Sequence, residues 1–190
     1  IALARVTEGE TIFTNVAVHL KGSRGSFRTI DSFPCLTLNF SHSAMGQKFY
    51  GLTKLSLNNS VQDPTCLSEK FCRELFAAAG VPVPRADHVV LTLNGRRLGL
   101  YVLTEGFDKQ FLKRYFKKAE GNLYDGGYLK DIAPVESMKL DLGENPDGLP
   151  ALQRLLAAIR QEDPIQRYRE LEGVLDVERF LSMLAMEIIL

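Results

Sequence analysis

Two charged side chains stand where a polyanion could be held, Lys54 and Glu69. In Lys54-Leu55-Ser56-Leu57-Asn58 the side chains alternate across a pleat, with Leu55 and Leu57 on one face and Lys54, Ser56 and Asn58 on the other. A cation on the polar face of a short strand can meet phosphate oxygens, and a carboxylate on the next helix can orient that cation. Glu69 lies beside an apolar stripe of Leu67, Phe71, Cys72, Leu75 and Phe76, which would keep it near the sheet; Glu74 borders the opposite edge and is the weaker candidate. Upstream, Gly22 and Gly25 sit in a loop with Arg24 and Arg28, two more groups able to bind phosphate. That loop has neither the G-x-x-x-x-G-K-[ST] nor the G-x-G-x-x-G spacing. An ordinary turn carrying solvated charges is the competing reading of all these residues.

The elements that must position them are legible. Val16-Ala17-Val18-His19-Leu20 alternates as a strand, and residues 36–40 follow the glycine loop as a second. Asp63-Pro64 supplies an N-cap and a first-turn proline for a helix over about 65–79, closed by Gly80 with Pro82 and Pro84 beyond. Strands over 88–93 and 98–104 flank Asn94-Gly95, the dipeptide suited to a type I′ turn. Helical segments follow at 109–118, 149–160 and 164–175, the last begun by Asp163-Pro164, and Asp176 caps a final apolar helix over 177–190 that reads as buried. Between them, residues 125–150 are rich in Gly, Asp and Pro and read as an insert or irregular connection. The order is that of an α+β chain, an antiparallel-sheet lobe with one main helix over 1–106 and the start of a helical lobe over 107–190. A protein-kinase N-lobe running into its C-lobe has this order of elements.

Composition narrows the partners. Lys+Arg and Asp+Glu each total 23, so the net charge is zero and no global field draws the chain to nucleic acid or an anionic membrane. The most apolar stretch, 177–190, is broken by Glu178, Arg179, Ser182 and Glu187, so no membrane-spanning segment is expected. Cys35, Cys66 and Cys72 form no CxxC pair and read as plain thiols; His19, His42 and His88 are isolated. No metal site is expected within the segment. The chain begins at Ile1 rather than methionine and reads as a piece of a longer protein.

One passage also resembles a known family, the spore-coat CotH-type atypical protein kinases. It runs Phe49-Tyr50-Gly51-Leu52-Thr53-Lys54-Leu55-Ser56-Leu57-Asn58-Asn59, then Asp63-Pro64, Ser68-Glu69-Lys70 and Ala79-Gly80-Val81-Pro82-Val83-Pro84-Arg85-Ala86. The family pattern is FYGLKKLNLNN, DP, REK and AGVPxPRA. Agreement continues in His19-Leu20-Lys21-Gly22 with Ser26-Phe27-Arg28, in Gly99-Leu100-Tyr101-Val102-Leu103-Thr104-Glu105 and in Gly121-Asn122-Leu123-Tyr124, while the insert matches poorly.

The resemblance implies a protein-kinase-like fold that binds ATP with Mg²⁺ and transfers the γ-phosphate to Ser or Thr of a protein substrate. Carried over by position, Lys54 and Glu69 would be the ion pair, the loop with Gly22, Gly25 and Arg28 would face the phosphates, and Leu103, Glu105 and Gly106 would form the adenine-facing linker. Many relatives have a lysine in the strand where this chain has Asn39, so the phosphate-binding lysine is open to reassignment. The family's catalytic and metal-binding motifs, an HWDGY-like stretch, an NN pair and a later aspartate, would lie beyond Leu190, leaving residues 1–190 without phosphotransfer alone. The setting implied is spore coat, cell envelope or secreted. A non-catalytic coat or surface scaffold of the same fold is the alternative.

Overall fold

The computed structural model describes residues 1–23, 25–127, 130–143 and 149–190, with the side chain of Glu136 also left aside. Arg24 and part of the 125–150 insert therefore lie outside the described residues. The chain is α+β and divides into two compact units, Ile1–Ala78 with Pro82–Tyr115, and Ala79–Val81 with Phe116–Leu190.

The first unit is built on a six-stranded antiparallel sheet. Its strands are β1 (Ala2–Glu8), β2 (Thr11–Lys21), β3 (Cys35–Asn39), β4 (Lys54–Asn58), β5 (Ala86–Leu93) and β6 (Arg96–Glu105), in the spatial order β1-β2-β3-β4-β6-β5. The alternation read in β4 is observed, with Leu55 and Leu57 1% and 4% exposed in the core and Lys54, Ser56 and Asn58 half-buried on the other face. Burial of each leucine is worth about 1.5 to 3 kcal/mol. Asn94 and Gly95 have φ of 49° and 79°, as a type I′ turn requires, and join β5 to β6 where expected. Phe13, Phe40 and Phe49 close the core with ring centroids 5.2 to 5.5 Å apart.

The sequence reading missed β1 and the first half of β2. β1 is an edge strand whose residues are mostly exposed, so it lacks a strong apolar alternation. A bulge opposite Arg5, with Asn15 at φ 55°, further interrupts the period of β2 and curls this end of the sheet.

Helix α1 (Ser68–Ala78) starts later than expected. Residues 63–66 form a turn, closed by Cys66 N–H on the Asp63 carbonyl at 3.0 Å, and Cys66 has φ 57°. Asp63, the first residue of this turn, still caps the helix, its Oδ2 accepting from Ser68 N–H at 2.8 Å. The inward face of α1 is not the expected stripe. Glu69, Cys72, Arg73 and Phe76 are half-buried, whereas Leu67, Phe71 and Leu75 are 45%, 56% and 43% exposed. Asp108 caps the short helix α2 (Lys109–Tyr115), accepting from Gln110 and Phe111 N–H at 2.8 and 3.0 Å, while Thr53 donates to its other oxygen at 2.6 Å.

In the second unit, β7 (Leu123–Asp125), at the edge of what read as an irregular insert, and β8 (Lys139–Leu142), inside it, pair as a two-stranded antiparallel sheet. Three helices follow, α3 (Leu149–Ile159), α4 (Pro164–Glu172) and α5 (Val177–Ile189). Asp163 and Asp176 cap α4 and α5 as expected, accepting from Gln166 N–H at 2.8 Å and Arg179 N–H at 3.1 Å. α5, expected to be buried, has no fully buried residue, and Ile188 and Ile189 are largely exposed. Among the described residues, no helix is long and apolar enough to cross a membrane.

Candidate functional site

Antiparallel register sorts one face of the sheet into rows. Lys21 is the last residue of β2 and faces Cys35, the first of β3; Leu36 pairs with Leu57, which brings Cys35 beside Asn58 at the end of β4. Lys21, Cys35 and Asn58 thus share one end of the polar face, and Asn39 and Lys54 pair at the other end. Asn58 lies four residue steps along the strand from Lys54, about 13 Å.

At the Asn58 end the side chains join. Lys21 Nζ donates to Asn58 Oδ1 at 2.8 Å, and Asn58 Nδ2 donates to both Glu69 oxygens at 2.8 and 2.7 Å. Arg73, one turn along α1, donates to Glu69 Oε1 at 2.7 Å and to the Pro84 carbonyl at 3.2 Å. Only one orientation of the Asn58 amide presents an acceptor to the ammonium and donors to the carboxylate, so this network fixes it. Burial pushes the Lys21 ammonium pKa below its ordinary value, opposed by the negative charges of Cys35, when ionised, and Glu69.

Lys21, Cys35, Asn58 and Glu69 border a cleft of about 530 Å³, with Gly22 and Ser26 on one rim and Gln62 and Asp63 on another. The glycine loop is held in shape. Gly22 has φ 113°, and a Cβ there would lie 3.0 Å from the backbone of Phe27, so the position needs glycine. A Cβ at Gly25, φ 90°, would meet the movable Gln62 amide at 2.6 Å. Arg28 turns onto its own loop, donating to the carbonyls of Gly25 at 3.0 Å and Phe27 at 2.7 Å. Asn59 donates to the carbonyls of Ser26 and Phe33 at 3.0 and 2.6 Å, and Arg96 at the hairpin base donates to those of Asp31 and Ile30 at 2.7 and 2.6 Å.

The other end of β4 is closed. The Lys54–Glu69 ion pair read from the sequence is not among the contacts of the described residues; Asn58 and Arg73 hold Glu69, because Lys54 sits a full strand length away on the same face. Gly106 N–H donates to the Lys54 carbonyl at 2.9 Å, and a Cβ on Gly106 would press on Lys54 Cβ at 2.9 Å. Glu105, expected in the adenine-facing linker, is a buried carboxylate with its side chain 1% exposed. Arg114 grips it with both terminal nitrogens, and Arg85 N–H donates at 3.2 Å. Burial raises the Glu105 carboxyl, but Arg114, the Arg85 backbone N–H and the two guanidinium charges together leave it below the usual carboxylate range. Leu103 pairs with Leu57 and packs on the core, and neither Leu103 nor Glu105 lines the cleft.

Of the residues read from the sequence, the structure therefore brings Gly22 and Glu69 together at one cleft, and Gly25, Arg28, Lys54, Leu103 and Glu105 are not among its lining residues. Sequence reasoning missed Lys21 and Asn58. Both had a signal: Lys21 immediately precedes the glycine loop, and Asn58 shares the parity of Lys54. Which end of the strand meets the helix is a matter of register, which a single strand does not specify.

The family model described as "CotH kinase protein" matches residues 18–190. The chain is 26% identical over 149 residues to a protein of Bacillus subtilis (strain 168) named inner spore coat protein H, covering 72% of this chain and 41% of that protein. It thus spans less than half the length of that relative.

Proposed function

Because the chain belongs to the CotH kinase protein family, we propose that the cleft at the Lys21 end of the sheet receives the phosphates of ATP, in a protein that transfers the γ-phosphate to serine or threonine of a protein substrate. The carrying observation is Lys21, a half-buried cation at the cleft wall, tied through Asn58 to the helix carboxylate Glu69 and adjoining a glycine loop. Phosphoryl transfer asks little covalent work of a protein, and its catalysis rests on holding phosphates and offsetting their charge. A strand lysine, a helix glutamate and a glycine loop are the parts that do so in protein kinases. Here Lys21, not Lys54, takes the lysine's part.

The residues fit a triphosphate in kind and in size. The cleft volume of about 530 Å³ lies within the range of small-molecule sites. Magnesium is commonly held by one or two carboxylates together with phosphate oxygens. Among the described residues no cluster of three His, Cys, Asp or Glu side chains is placed to hold a metal, so no ligand is assigned to it. When bound, the metal would offset charge on the phosphates; Lys21 would pair with their oxygens, and the Gly22 loop would exclude water from one side. The relative's name sets that protein in the inner spore coat, and we extend a coat or envelope setting to this one.

Titration of the full-length protein with ATP and Mg²⁺ tests the assignment. Lys21→Ala is expected to weaken binding about tenfold or more, as the loss of a charge-assisted contact should, and Lys54→Ala to leave it within about twofold. The reverse pattern would return the cation to Lys54. Full-length protein that neither binds ATP nor labels a Ser-rich protein with phosphate would sink the reading altogether.

A further inference from the structure

Asn58 stands between the two charges that a kinase-type lobe would pair directly. Its carbonyl oxygen takes the Lys21 ammonium at 2.8 Å, and its amide nitrogen spans both oxygens of Glu69 at 2.8 and 2.7 Å. Glu69 is itself shared with Arg73, whose other nitrogen reaches the Pro84 carbonyl. The carboxylate therefore offsets Arg73 at contact and Lys21 only through a neutral amide. An ammonium bound to an amide keeps more of its charge for an incoming anion than one bound to a carboxylate.

We propose that Asn58 is a positioning residue, an amide relay that aims the Lys21 ammonium into the cleft and couples its position to that of α1. This rests on the phosphate reading of the cleft. The relay also carries a direction: the amide accepts from the cation and donates to the anion, so an acceptor-only group at 58 can serve Lys21 but must repel Glu69.

Reversing the polarity of both partners is the test, on the full-length protein. Asn58→Leu removes both bonds and is expected to weaken Mg-ATP binding about tenfold. Asn58→Asp sets a carboxylate against Glu69 and should weaken it comparably. The double variant Asn58→Asp with Glu69→Gln lets the introduced carboxylate accept from both Lys21 and the introduced amide, with the same total charge as the native relay. It should restore affinity to within about threefold and recover kcat along with KM.

A second readout follows the Lys21 side chain itself, by NMR titration of lysine ε-carbons. Among the described residues, the ionisable groups facing Lys21 are Cys35 on β3, Lys54 on β4, and Glu69 and Arg73 on α1. Against that fixed background, Asn58→Asp should move the Lys21 titration to higher pH and Asn58→Leu to lower pH, shifts that a merely structural asparagine would not produce. Asn58→Leu binding Mg-ATP within twofold of wild type, or a double variant no better than Asn58→Asp, would overturn the relay while leaving the cleft assignment intact. If wild type fails to bind ATP, the phosphate reading falls instead, and the relay is then judged by the titration: unmoved Lys21 signals in both Asn58 variants overturn it.

Discussion

The two ends of β4 hold similar residues in opposite conditions. At the Asn58 end, Lys21, Asn58 and Glu69 are half-buried along an open cleft, with Arg73 bonded to Glu69, and the ammonium keeps bonding capacity toward it. At the Lys54 end, Glu105 is sealed under Arg114 and Arg85, and Asp108 is spent on Thr53 and the start of α2. A charged group reports on function only when its partners leave something unspent. The closed end is a fastener that ties α2 to the sheet, and the open end is where a ligand can be met.

The contrast breaks most visibly if the fastener is cut. Glu105→Ala leaves Arg114 partly buried without its carboxylate, and unfolding in urea should show a loss of about 3 to 5 kcal/mol. Lys21→Ala, by comparison, should leave the unfolding midpoint nearly unmoved while weakening ATP. A variant at either end that moved both quantities equally would erase the distinction. Next in size, Gly22→Ala places a Cβ against the Phe27 backbone at φ 113° and should cost about 1 to 3 kcal/mol, with faster hydrogen exchange in residues 22–28. Gly25→Ala, opposed only by a movable Gln62 side chain, should cost less. Remote from both ends, Gly95→Ala meets nothing within 4 Å and should show only the left-handed backbone penalty of about 1 kcal/mol, with ATP affinity unchanged.

Acid sharpens the comparison at the smallest scale. The Thr65 hydroxyl, then the Ser68 N–H, hold the Asp63 carboxyl down from 3.8 to about 2. A depressed folded-state pKa gives stabilisation that is complete above the unfolded value and lost as pH falls through the folded one. Protection of the Ser68 amide, measured against its intrinsic exchange rate, should therefore fall between about pH 4 and pH 2. Glu105 is lowered too, so its hold on Arg114 is present above the ordinary carboxylate range and fades below it.

Much of this fold could be read locally. Asn94-Gly95, Asp163-Pro164 and the alternation of β4 act within a few residues, and each appears where the chain places it. What could not be read was non-local. The Lys21–Asn58 bond spans three strands through register, and the burial of Glu105 at the end of β6 could not be read because Arg114, its partner, lies on another element. The expected apolar stripe of α1 held only at Cys72 and Phe76 for the same reason: periodicity marks a face, but Glu69 and Arg73 share the inward side through partners on β4 and at Pro84. Lys54 was chosen for its strand and parity, which were right. It stands at the end of β4 opposite the Asn58 that holds Glu69.

Arg96 draws a further consequence from the hairpin. Its guanidinium holds the carbonyls of Ile30 and Asp31, so the outer edge of the glycine loop is moored to the turn between β5 and β6, while Asn59 moors the inner edge. A loop anchored on both margins is a doorway with a fixed lintel. Ligand association should then follow a single second-order phase with no concentration-independent closing step, and loosening the mooring with Arg96→Ala should add a slow phase without altering any group that touches the ligand.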